Sequence, residues 1–384
     1  MIFKKFIDNL DESDIDVLIS MGIEEDIHLD YKLELPAKQN DKGKKELAKD
    51  VSAFANSDGG YIIYGVEEKD HKPVNKVGID SIGTKEKIEN ICLHYVQPHA
   101  DLRIKPVDLQ GTDDQLFVVW IPKSSIAPHM TDFRFYKRQN FSSVPMEEYE
   151  VKELYRRNFE YKSQIELYLL KKNFGLNNPN NDESLWISFL SCPHFITDNI
   201  MPVNEDMKKF LDPNKYHLTK GDFLFSEFPQ YTLTGFSSEH SGNRGGKKAI
   251  IQRTVWERTG FIQLGKYYGY IEEKLIPIMV VIEILESFLK FIISFYEKIE
   301  YSANVKLILS MQNVQGWAIP INQMDATSTY GEKDLQIFRD INLLDLRENY
   351  NLLLKDMCNQ LFQGFGEQDC PFIDNIGNID FNRH

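Results

Sequence analysis

The run Asn56-Ser57-Asp58-Gly59-Gly60-Tyr61-Ile62-Ile63-Tyr64-Gly65-Val66-Glu67-Glu68 constrains this chain more than any other stretch. Ahead of it, Leu47, Ala48, Val51, Phe54 and Ala55 recur at helical spacing, with Lys42, Lys45 and Lys49 on another face. Asn and Gly accept the left-handed conformation that closes a last turn, so Asn56 to Gly60 reads as a helix stop. Tyr61 to Val66 is aromatic and β-branched, hence a buried strand that delivers Glu67 and Glu68 at its end. Upstream, Ile27 to Leu35 alternates apolar and polar residues. That pattern predicts a strand with Ile27, Leu29, Tyr31, Leu33 and Leu35 facing inward and His28, Asp30, Lys32 and Glu34 sharing the other face. Glu25 stands just before this strand and can turn toward the polar face.

Two separated blocks therefore follow in order: Glu25, four residues, Asp30-Tyr31-Lys32; then Ala53-Phe54-Ala55-Asn56-x-x-Gly59-Gly60-Tyr61-x-x-x-Gly65-Val66 and two acids. This order resembles the AlbA-like domain of the Schlafen family, over about residues 20–155. In the ribonuclease members of that family three carboxylates form the active site, and the resemblance places them at Glu25, Asp30 and Glu68. The lengths of two acids are exchanged, with Asp30 where Glu is usual and Glu68 where Asp is usual. Each change moves side-chain reach by one methylene, in opposite directions.

Hydrolysis of a phosphodiester needs an activated water and positive charge on the phosphoryl oxygens, and a divalent ion supplies both. Carboxylates suit hard ions, so Glu25, Asp30 and Glu68 are the expected ligands of Mg²⁺ or Mn²⁺, with Lys32 stabilising the anionic transition state. A salt bridge from Lys32 to Asp30 on a wet sheet face is the competing reading. Lys42, Lys45 and Lys49 read either as a solvated helix face or as phosphate contacts. Arg134, Lys137 and Arg138, interleaved with Phe133, Phe135 and Tyr136, alternate charge with stacking surface as a nucleic-acid groove does.

The formal charge of −14 excludes a wholly basic coat protein for nucleic acid, not a local basic groove. Four scattered cysteines lack CxxC spacing, which fits a reducing cytoplasm, and no cleavable signal pattern opens the chain. Gly242 to Ala249 lacks the spacing and hydroxyl of a phosphate-binding loop and reads as a flexible basic loop. No cluster of Cys and His has zinc-ligand spacing. Leu275 to Tyr296 is apolar, but Glu283, Glu286 and Lys290 form a polar stripe at helical spacing, so a buried amphipathic helix is expected rather than a membrane span.

The expected fold is α+β. Residues 1–160 form the AlbA-like domain, a mixed sheet with helices; 161–184 are helix and linker; 185–384 form a second α+β domain with a long helix near Lys274 to Tyr301. Within the first domain, Phe3 to Met21 and Thr84 to Tyr95 read as helices and Glu67 to Lys76 as a loop. Leu102 to Val107 and Gln115 to Ile121 read as strands, and Pro145 to Tyr161 begins a helix. In the second, Trp186 to Leu190, Phe223 to Phe228, Ala249 to Leu264 and Val305 to Ile319 suggest strands, and Ile337 to Phe365 a terminal helix.

The resemblance implies a metal-dependent nuclease acting on RNA such as tRNA, or on single-stranded nucleic acid, as an effector of antiphage defence with a possible partner protein of such a system. A non-catalytic nucleic-acid-binding regulator using the same groove is the alternative. Eukaryotic ribonucleases of the family pair two related lobes, and this chain has no internal repeat, so a homodimer is expected. Its C-terminal domain would serve dimerisation, sensing or partner contact.

Overall fold

The computed structural model describes residues 2–3, 7–37, 39–171, 180, 184–194, 199–216, 218, 224–225, 227–244, 247–268, 274–299, 301, 303–322 and 325–380. The chain divides into two compact units, Met1–Lys162 and Ser163–His384.

The first unit opens with a 3₁₀ turn, Ile7–Asn9, and helix α1, Glu12–Ser20. Asp11 caps α1 reciprocally: its carboxylate accepts from the Ser13 amide, and its own amide donates to Asp14. The helix expected over Phe3 to Met21 is thus shorter, because Asp11 starts it. Strand β1, Leu29–Lys32, is followed by α2, Asp41–Asn56, and β2, Gly60–Tyr64. β1 and β2 pair in parallel, Asp30 opposite Ile62 and Lys32 opposite Tyr64. A parallel pair needs a crossover, and α2 is that crossover.

A hairpin comes next, β3 at Val66–Lys69 and β4 at Lys72–Lys76, where a loop was expected. Asp70 and His71 form its two-residue tip with φ of 52° and 63°, the left-handed pair that matches the twist of hairpin strands. Helix α3 spans Thr84–Tyr95, as its periodicity predicts. β5, Arg103–Asp108, and β6, Gln115–Ile121, complete a four-stranded sheet of order β1-β2-β6-β5. Three short strands follow: β7, Met130–Thr131; β8, Arg134–Gln139; and β9, Ser142–Pro145. Helix α4, Glu148–Lys171, leaves the unit.

Facing residues of paired strands project to the same side of a sheet. Ile62 and Tyr64 pack with Leu47, Val51 and Phe54 of α2, so Asp30 and Lys32 point to the α2 side as well. This changes the expected picture of β1. The polar face is not wet at Asp30, which is 2% exposed, while Ile27 and Leu33, expected inside, lie outside at 40% and 48%. The strand is only four residues long, and its alternation stops with it.

Asn56 ends α2 as expected, and its amide does more than terminate a helix. Nδ2 donates to the carbonyls of His129 and Tyr136 at 2.8 and 2.9 Å, and Oδ1 accepts from the His129 amide at 2.6 Å. Ser57 Oγ accepts from the amide of Arg138 at 2.8 Å. These bonds lash β8 across the end of α2. Gly59, with φ of 74°, and Gly60 let the turn pass where a Cβ would strike the Lys123 amide or the His28 carbonyl. Replacing Asn56 with alanine strands three backbone groups, two of them in buried hydrogen bonds, and is expected to cost about 2 kcal/mol. Urea unfolding followed by aromatic fluorescence measures it, and an unshifted midpoint would refute the role assigned to this side chain.

In the second unit the described elements are β10, Trp186–Pro193; α5, Glu205–Phe210; β11, Gln230–Tyr231; β12, Gly235–Arg244; β13, Lys247–Glu257; β14, Ile262–Tyr267; α6, Ile278–Lys298; β15, Asn304–Gln312; β16, Leu335–Asn342; and α7, Leu343–Gly364. The seven strands form one sheet of order β11-β12-β13-β14-β10-β15-β16, with every pair antiparallel. Phe189, Leu264 and Leu309 of the sheet share a core with Leu285, Phe288 and Ile292 of α6 and Leu354 and Leu361 of α7. The apolar segment over α6 is thus a core helix with Glu286 and Lys290 paired at 2.7 Å on its exposed side. No described helix is long and apolar enough to cross a membrane.

Three expectations for this unit change. Ile337 to Asn342 belongs to a strand, and the terminal helix starts at Leu343. Gly242 to Ala249, expected as a flexible loop, lies largely in the β12–β13 hairpin, with Gly245 and Gly246 outside the described residues. Leu224 and Phe225, expected in a strand, are core residues at a bend, with Phe223 and Ser226 outside the described residues. The linker expected over Asn173 to Glu183 lies outside them too, except for Asn180.

Candidate metal and phosphoryl-transfer site

The first unit gathers its titratable side chains at one end of β1. Glu25 is held by its backbone and by both carboxylate oxygens. Its amide donates to the His71 carbonyl at 2.8 Å, Oε1 accepts from the Tyr31 amide at 2.9 Å, and Oε2 lies 2.8 Å from His71 Nδ1. Its side chain is only 7% exposed. Burial and the neighbouring Asp30 carboxyl push the Glu25 carboxyl above its ordinary range, against the Tyr31 amide and the His71 ring. The bond to Glu25 in turn raises the imidazole of His71.

Glu68 sits in β3 and is exposed, and its Oε2 accepts from the His71 amide at 2.8 Å. The tip of the β3–β4 hairpin thus folds back on the acid that precedes it. One ligand atom each from Glu25, Glu68 and His71 lie within 4.8 Å of one another. Phe141, at the β8–β9 turn, stacks on the His71 ring with centroids 3.8 Å apart. That contact fixes the plane of the imidazole.

Asp30 lies beside this trio but is otherwise engaged. Oδ1 is 2.5 Å from Lys32 Nζ and Oδ2 is 3.2 Å from Arg138 NH1, with the Arg138 side chain 1% exposed. Arg138 also donates to the Asp26 carbonyl at 3.0 Å and stands over the Phe54 ring, 4.4 Å from its centroid. Lys32 continues the network toward Asp50 of α2, whose Oδ2 is 4.0 Å away and whose Oδ1 accepts from Ser143 at 2.8 Å. Burial opposes the charge of Lys32, but Asp30, Asp50 and Glu25 outweigh it and hold the ammonium protonated. Burial raises the Asp50 carboxyl, with Lys32 pulling the other way.

Two expectations are corrected here. Among the described residues, the acids and histidine whose ligand atoms converge closely enough to share an ion are Glu25, Glu68 and His71; Asp30 is an ion-paired neighbour outside that group, with a cation on each of its oxygens. Arg138 does not line an open groove, because it is the buried partner of Asp30. The remaining basic residues are on the surface. Lys42 and Arg134 are exposed, Lys45 pairs with Asp132 at 2.9 Å, Lys49 pairs with Glu46, and Lys137 pairs with Glu150. His28 binds the Gly59 carbonyl through Nδ1 at 3.0 Å and so serves the turn.

His71, Asp50 and Phe141 were not singled out in the sequence. Two signals were available: Glu68-x-x-His71 around a turn, and an acid, Asp50, set among the apolar positions Leu47, Val51 and Phe54.

A model of the family described as Schlafen, AlbA_2 matches residues 25–147, a span that contains every residue of this site. No curated protein matches the chain. Among solved structures, the N-terminal domain of a RecG-related protein of Nitrosomonas europaea aligns with a TM-score of 0.28 and 16% identity, over 36% of this chain and 92% of that one. The DIP2311 protein of Corynebacterium diphtheriae aligns with a TM-score of 0.26 and 14% identity, over 77% of this chain and 55% of that one. The chain therefore spans little more than half the length of the second.

Proposed function

We propose, from the Schlafen AlbA_2 domain that residues 25–147 form, that this protein is a divalent-metal-dependent nuclease of RNA or single-stranded nucleic acid. The family is associated with nucleic-acid processing. The observation that carries the finer reading is the convergence of Glu25, Glu68 and His71 within 4.8 Å, beside an ammonium and a guanidinium.

Two carboxylates and an imidazole fit an ion between hard and borderline, which favours Mn²⁺ over Mg²⁺. Bound there, such an ion would supply an activated water and charge on the phosphoryl oxygens. The chain's own residues do the rest. The Tyr31 amide and the paired backbone of Glu25 and His71 keep the Glu25 carboxylate aimed at the trio, and Phe141 holds the His71 ring in plane. Lys32 has three donors and spends one on Asp30, which leaves others for a non-bridging oxygen. A cytoplasmic setting, a homodimer and a role in antiphage defence belong to the same proposal.

The test is labelled tRNA and single-stranded RNA incubated with the full chain, with and without Mn²⁺. Cutting that requires the ion is expected; binding without cutting under any divalent ion would leave the regulator. Calorimetry of Mn²⁺ binding adds a pH signature. His71 must lose its proton to ligate, and its pairing with Glu25 raises its pKa above 6.5. Affinity is therefore expected to climb with pH through that raised value, with a proton released on binding. A flat profile across this range would remove His71 from the ligand set.

A further inference from the structure

A cavity of about 310 Å³ opens beside Lys32, between β1 and the first half of α2. Leu35, Leu47 and Tyr64 give it apolar walls, while Lys32, Glu34, Asn40, Glu46 and Asp50 give it polar groups. Its volume is at the small end of ligand sites and suits one planar ring system with apolar faces. Asp50 is 8% exposed. Oδ1 accepts one bond, from Ser143, and Oδ2 is 4.0 Å from Lys32 Nζ, beyond hydrogen-bond reach, so each oxygen keeps a lone pair.

The nearly buried Asp50 acceptor and the Lys32 donor, set this far apart in one slot, select one base edge. Guanine carries two adjacent donors, N1–H and N2–H₂, next to the acceptor O6. Adenine and cytosine put a ring acceptor beside their amino group, which a carboxylate repels. Uracil has one donor between two acceptors. Among the four bases guanine alone satisfies a carboxylate with two donors while giving an oxygen to the ammonium.

We propose that this cavity is a guanine-reading subsite for the nucleotide next to the scissile phosphate. The assignment rests on the nuclease reading for its position relative to the phosphate. Lys32 links the two places, since it borders the cavity and is paired with Asp30 beside the metal trio. Asp50 is a specificity residue here and reaches no reacting atom.

The test is calorimetry of the full chain with guanosine, adenosine, cytidine and uridine 5′-monophosphates, without metal. The guanosine nucleotide is expected to bind about 10-fold or more tightly than the others. Asp50→Asn, which replaces one acceptor by a donor, is expected to erase that preference while circular dichroism shows an intact fold. Equal binding of all four, binding of none, or a guanine preference that survives Asp50→Asn would overturn the proposal. Should the variant not fold, the wild-type ranking decides alone. The two readings fail separately. Metal-dependent RNA cutting with no guanine preference in nucleotide binding removes this subsite and leaves the nuclease, whereas guanine-selective binding by a protein that never cuts does the reverse.

Discussion

Replacing Glu25 with glutamine is expected to lower Mn²⁺-dependent cutting of RNA about 10³-fold, the scale seen when one fixed electrostatic group of a catalytic site is removed. Glutamine keeps the length of the side chain and an oxygen for the Tyr31 amide, so the backbone around it has reason to stay in place. What it loses is the charge and the pairing with His71 at 2.8 Å. The same substitution should release His71 from its raised pKa, because the bond to Glu25 is the first cause of that shift. NMR titration of the His71 ring reads this separately from activity. A Glu25→Gln protein that cuts as fast as the wild type would end the metal-site assignment, whatever the titration shows.

Arg138→Met is expected to cost about 3 kcal/mol of stability, because breaking a buried pair leaves one charge behind. Asp30 keeps Lys32 at 2.5 Å, which holds the loss near the lower end for such pairs. Arg138 Nε has no hydrogen-bond partner, so the arginine already bears one unmet donor that methionine would remove. The two terms oppose each other, and the pair dominates since both side chains are at most 2% exposed. Asp30→Asn in the same protein should recover part of the loss, giving a coupling of about 1–3 kcal/mol in a double-mutant cycle. Urea unfolding of the four proteins measures it. Strict additivity would mean that the two residues do not act as a pair.

How far the sequence could be read depended on the range of the interactions involved. Helix α3, strand β6 and the stop at Asn56 were legible from spacing alone, because each rests on local propensity; the strand expected over Tyr61 to Val66 ends at Tyr64, and Glu68 is carried by the hairpin strand β3 instead. The core role of α6 was legible because Glu286 and Lys290 mark one exposed side, although Glu283, expected in the same stripe, is buried. What spacing could not show was which strand lies on which helix. Asp30 looks like a surface acid in β1; it is buried because β8, more than a hundred residues later, swings Arg138 onto it. His71 was hidden for a different reason. Its backbone conformation, positive in φ without being glycine, turns a polar loop into a hairpin tip that points a ring at Glu25. The helix expected over Ile337 to Asn342 is a strand instead, because a strand runs straight into a helix there with no breaker between them.

The two-residue tip between Lys69 and Lys72 carries a consequence for natural variation in length. A strand reverses the side of every residue with each unit of register, so one extra residue in that tip would turn the imidazole out to solvent and Glu68 away from it. Insertions should therefore be tolerated at the turn after Asp108, where Gly111 meets no neighbouring atom, and be lethal to the site between Lys69 and Lys72.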